Sequence, residues 1–234
     1  MENPGVKIAW GGGPWRKNHK RVVEENIYDA TELAEHGIDM IDVHYEVPKL
    51  MTIWRVAKQD PTAGVSHDAT NFDIHIPVHH IKHRKISRHF AELTMTVVHE
   101  MTHSIRSEKF EETNIFEHAA TEGLAYMSED LVASEILVAS EIAFNGVSHH
   151  LGHGSEYDSL KSKLHNSHQI SLEDEERLDQ EHDQWFSPYG SLLGVALGIN
   201  EVCRRLSEGN EFNDLMQWPA EAILDMSNSS TLHY

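Results

Sequence analysis

Cysteine is almost missing from this chain: Cys203 stands alone among 234 residues. An intrachain disulfide is therefore impossible. Cys203 sits in an apolar helical pattern, where a thiol is expected to be buried and inert. No apolar run is long enough to cross a bilayer. The start, Met1-Glu2-Asn3-Pro4-Gly5, leads into no apolar core and does not read as a signal peptide. The expected compartment is cytoplasmic, with leaderless secretion left open. Basic residues are scarce: 19 Lys and Arg face 38 Asp and Glu, for a formal net charge of -19. Such a chain is not expected to seek phosphate backbones or anionic lipid, so neither nucleic acid nor membrane is an expected partner. The dense acidic run Glu173-Asp174-Glu175-Glu176 lacks the Asp/Asn-Gly spacing of a calcium loop and reads as a solvated helix start. Gly11-Gly12-Gly13-Pro14 is not followed by the Lys-Ser/Thr pair of a phosphate loop. There is no internal repeat, low-complexity tract or linker. The expectation is one domain over 1–234, with 1–60 as a possible N-terminal extension.

What is abundant is histidine, at 19 residues. This makes any single histidine motif weak evidence on its own, so its context has to be weighed. One motif has that context. Thr96-Val97-Val98-His99-Glu100-Met101-Thr102-His103 is an HExxH pattern inside an apolar helical run. Residues four apart lie on one helix face, one turn above the other, so both imidazoles can reach a single ion. Glu100 stands beside them, placed to hold a water. Along the predicted helix 88–107, with Ser87 as its N-cap, Phe90, Leu93, Val97, Met101 and Ile105 form an apolar stripe. Glu92, Thr96, His99, His103 and Arg106 form a second coherent face, which a core helix would not normally carry without a use for it.

Around this helix the patterning predicts an α+β fold: a small antiparallel sheet in the N-terminal half, packed on a mainly helical body. A first helix is expected over 21–36, stopped by Gly37. Alternation at Ile41, Val43, Tyr45 and Val47 predicts a strand, as do Met51–Val56 and the run Phe72, Ile74, Ile76, Val78. Residues 1–20 are expected to hug the surface or move. Further helices are expected over 115–144, 171–186, 190–207 and 211–226, with Pro219 kinking or splitting the last. Residues 146–170, rich in Gly, Ser and His, read as a loop or lid. Its His149, His150 and His153 are more simply polar loop residues than a second metal site. Gly190, Gly194 and Gly198 are spaced for close helix contact. Trp54, Trp185 and Trp218 read as core or interface anchors.

A catalytic zinc takes three protein ligands and keeps one position for water. The elongated HExxHxxGxxH form is excluded, because position 106 is Arg and position 109 is Lys. The third ligand is expected from the next helix, where Glu117 and Glu122 compete. Five apart on a helix, they cannot both face one ion. Glu122 is favoured, since it sits among small residues in Ala119-Ala120-Thr121-Glu122-Gly123-Leu124-Ala125. Glycine inside a helix costs about 1 kcal/mol relative to alanine, which suggests a packing reason for Gly123. Glu117 and His118 remain alternatives.

The pair HEMTH and TEGLAYMSED resembles the gluzincin metallopeptidases, the thermolysin-like class. It resembles more closely the bacterial family of predicted zinc-dependent proteases marked by HExxH followed by EGLA. The similarity covers about 64–225 and includes the Pro188-Tyr189-Gly190-Ser191-Leu192-Leu193-Gly194 segment. It implies a zincin-like fold, Zn2+ as cofactor, His99, His103 and Glu122 as ligands, and Glu100 as general base. One position departs from the pattern: thermolysin-like enzymes often carry Asp four residues after the ligand Glu, and here that residue is Tyr126. The group that orients His99 is thereby left open. Tyr189, opening a helix after a Pro-containing break, is the candidate donor to a developing oxyanion, with His182 behind it. The expected function is a zinc-dependent hydrolase acting on peptide or protein substrates. The alternative is a non-catalytic metal-binding or His-rich interaction protein on the same fold, for which the acidic surface and many histidines would suit a cation buffer.

Overall fold

The structure is a computed structural model, and it describes residues 6–10, 16–43, 51–57, 71–77, 86–107, 109–110, 115–136 and 193–225. Helices make up most of these residues. The chain divides into two compact units, one of Met1–Ile105 with Leu131–Ala143 and one of Arg106–Asp130 with Phe144–Tyr234.

The first unit opens with β1 (Val6–Trp10), α1 (Lys17–Met40), β2 (Met51–Ala57) and β3 (Asn71–Pro77), and it contains all but the end of α2 (Ile86–Ser107). The three strands form one sheet in the order β1-β2-β3. Both pairings are parallel, running from Val6↔Thr52 to Trp10↔Val56 and from Met51↔Asn71 to Ala57↔Pro77. Among the described residues the antiparallel sheet expected from the patterning is not present, and a parallel one stands in its place. Alternation reports that a segment is a strand but not its direction. Direction is set by the connections, and parallel neighbours need a crossover. Here α1 lies between β1 and β2 and supplies it.

The first strand itself falls in the stretch expected to hug the surface or move, where no strand is foreseen. The strand expected from Ile41 onward is also corrected: Ile41 is the C-cap of α1, Asp42 and Val43 form the closure that follows it, and 44–47 lie outside the described residues.

The buried residues Val23, Ile27, Ala30, Ala34 and Ile38 recur at helical intervals and form the inner stripe of α1. Lys20 holds its ammonium 4.7 Å from the ring centre of Trp10, a cation–π contact between the first turn of α1 and the end of β1. The helix does not stop at Gly37. It runs on to Met40, and just past it Asp42 takes a left-handed conformation (φ 57°). The amide of Val43 donates to the carbonyl of Ile38 and that of Asp42 to the carbonyl of Asp39. This is a Schellman closure, with Val43 and Ile38 both buried as its hydrophobic pair. Asp takes the place that Gly usually fills, its short polar side chain being tolerant of this conformation.

The second unit holds most of α3 (Ile115–Ile136), together with α4 (Leu193–Ser207), α5 (Phe212–Leu215) and α6 (Ala220–Ile223). Along α3, Ala119, Ala120, Leu124, Ala125 and Met127 are all buried. Gly123 has the packing reason expected of it, though the partner is α4. A Cβ on Gly123 would overlap the backbone of Gly198, and a Cβ on Gly198 would overlap the carbonyl oxygen of Ala119. The two helices therefore touch backbone to backbone, which no residue with a side chain permits. The end of α4 repeats the closure of α1: Gly209 (φ 91°) donates to Leu206 and Asn210 donates to Arg205. Pro219 does split the last helical stretch, standing as the N-cap of α6.

Cys203 is half-buried, with Sγ 3.3 Å from Sδ of Met127. Burial, and then the nearby charge of Asp130, push its thiol pKa up, so the reactive thiolate is disfavoured. No described helix is long and apolar enough to cross a membrane.

Candidate metal centre

The HExxH motif lies in the later half of α2, a helix whose residues Met95, Val97, Val98, Met101 and Ile105 are buried. That burial fixes the rotation of the helix and leaves His99 and His103 half-exposed along one edge. Their Nε2 atoms are 3.2 Å apart and their ring centres 4.9 Å apart. Two nitrogens each 2.0–2.1 Å from a tetrahedral zinc stand about 3.3 Å from one another. The spacing between the two imidazoles therefore fits a shared ion. Glu100, the next residue after His99, is only 8% exposed.

A carboxylate from α3 lies with the two histidines. His99, His103 and Glu122 each offer a ligand atom, and these atoms all lie within 4.8 Å of one another. Two imidazoles and one carboxylate form the donor set of a catalytic zinc, and the residues present fit that ion. His118, one turn before Glu122, places Nε2 3.7 Å from Glu122 Oε1.

Glu117, the rival carboxylate, is engaged elsewhere. Its Oε2 accepts a 2.8 Å hydrogen bond from Arg106, and its Oε1 accepts one of 2.7 Å from the amide of Ala220. Both carboxylate oxygens are thus held by buried donors, and Glu122 is the carboxylate that lies with the two histidines.

Arg106 is the residue whose importance the patterning does not reveal. Its spacing sets it on the polar face with the histidines, yet it is 1% exposed. Besides Glu117, its Nε donates to Thr121 Oγ1 at 2.9 Å and its Nη1 to the carbonyl of Trp218 at 2.9 Å. Its guanidinium also stacks 4.5 Å from the ring centre of Phe110. An arginine three residues after the second histidine is visible in the chain, but its partners lie as far as 112 residues away. Tyr189, His182 and the histidines at 149, 150 and 153 lie outside the described residues.

Compared with family models, curated proteins and solved structures, the chain finds no match among any of them. Function is therefore read from the residues themselves.

Proposed function

We propose that this chain is a zinc-dependent hydrolase of the gluzincin type, acting on peptide bonds. The observation that carries the reading is the convergence of ligand atoms from His99, His103 and Glu122. The likeness of HEMTH and TEGLAYMSED to metallopeptidase motifs points the same way. Zinc held by these three residues would polarise a scissile carbonyl and make water more acidic. Glu100 would serve as general base, taking a proton from water and passing it to the leaving amine. His99 and His103 hold their positions because α2 is anchored by buried neighbours on either side of them. Tyr189 is proposed as donor to the developing oxyanion. A cytoplasmic setting is proposed with it, since a lone cysteine allows no intrachain disulfide.

The test is cleavage of a peptide library, read by mass spectrometry. Turnover by zinc-loaded protein is expected to stop on chelation and return with one equivalent of zinc. Cleavage indifferent to chelator, or none by the loaded protein, would contradict the reading. Binding of several ions per chain without cleavage would favour the cation-buffer alternative.

A further inference from the structure

We infer that Arg106 and Glu117 form a positioning strut for the metal centre, so that zinc affinity depends on residues that do not touch the ion. The inference rests on the metal-site reading above. Arg106 lies three residues beyond His103 on α2, and its Nε holds Thr121, the residue immediately before Glu122 on α3. The same guanidinium grips Glu117, one helical turn nearer the start of α3. The end of the histidine helix is thus pinned to the ligand-bearing helix at two points that flank His118 and end beside Glu122.

A third tie reaches the C-terminal helices. Glu117 caps the first amide of α6 at Ala220, and Arg106 caps the carbonyl of Trp218. The pair is buried, with side-chain exposures of 0% and 9%. Buried ion pairs of this kind are poor sources of net stability, because desolvation offsets much of their attraction, but they fix register where one is needed. The forked guanidinium is well shaped for holding register, since its donors are set in one plane and cannot slide along their acceptors. Groups hydrogen-bonded directly to metal ligands typically alter affinity on the order of 10- to 100-fold when removed, and a strut that acts one residue away should fall at the low end of that range.

The test uses two variants of the full chain chosen to keep the fold. Glu117→Gln retains an acceptor for Ala220 and loses the charge. Thr121→Val is nearly isosteric and removes one hydrogen bond. Zinc dissociation constants are measured by competition with a chromophoric chelator, on protein whose circular dichroism matches the wild type. The visible spectrum of the cobalt-substituted protein is recorded alongside.

Zinc affinity is expected to fall about 10-fold in each variant, the low end of the range for groups that support metal ligands. The tetrahedral cobalt bands should weaken in parallel. Folded variants with wild-type affinity and an unchanged cobalt spectrum would reduce the strut to a stability element and overturn the inference. Should Glu117→Gln unfold, Thr121→Val decides alone. A wild-type chain that binds no zinc would remove the metal-site reading itself, and the strut with it.

Discussion

Glu100→Gln is expected to bind zinc as the wild type does and to lose on the order of 100- to 10,000-fold in peptide turnover, the usual contribution of a positioned general base. The amide matches the carboxylate in shape but cannot accept a proton, and position 100 is not one of the three converging residues. Metal content and turnover therefore separate in this variant. For His103→Ala they should fall together, because a ligand has gone. The pair of measurements is steady-state cleavage and zinc per chain on the same preparation. Turnover within a few fold of wild type in zinc-loaded Glu100→Gln would remove Glu100 as the base. Loss of zinc in that variant would place Glu100 in the metal's support instead.

Arg106→Ala is expected to destabilise the chain by about 3–5 kcal/mol, the cost of leaving a buried charge without its partner. The pair Arg106–Glu117 is buried at 2.8 Å, and removing Arg106 strands Glu117 in place. It also deprives Thr121 Oγ1 and the carbonyl of Trp218 of a donor. For a chain of this size the loss corresponds to a fall in melting temperature on the order of 10 °C. Chemical denaturation followed by circular dichroism checks it. A shift below about 1 kcal/mol, the range of surface ion pairs, would show that the guanidinium is not desolvated as described. Removing both charges by Arg106→Met with Glu117→Leu should cost less than Arg106→Ala alone, since no buried charge is then left unpaired.

Several elements are legible in the chain alone. The helices around HExxH and EGLA, the strands at 51–57 and 71–77, and the break at Gly209 all follow from local patterns. So does the demand of Gly123 for close packing. These are short-range signals: side-chain periodicity, a left-handed glycine, a proline that cannot continue a helix. The parallel direction of the sheet is not legible, because it depends on the order in which strands pair and on the connections between them. Alternation within β2 or β3 holds no trace of either. The end of α1 is misread for a related reason. Gly37 looks like a stop, yet Asp42 makes the closure, helped by the buried pair Val43 and Ile38.

At the candidate site, the two histidines and Glu122 are legible from spacing and small neighbours. The choice between Glu117 and Glu122 needs contacts with Arg106 and Ala220, residues 11 and 103 positions away from Glu117. Such long-range partners leave no local pattern. Arg106 looks like one more polar residue beside the histidines, and only its burial shows otherwise.

Zinc per chain, measured by elemental mass spectrometry on tag-free protein, tests the central claim most directly. Wild type, His103→Ala and Glu122→Gln should be prepared side by side, and tags removed because the chain already carries 19 histidines. The account predicts one zinc per wild-type chain, with little or none retained in His103→Ala and weakened retention in Glu122→Gln. Equal metal in all three, or none in the wild type, would contradict it.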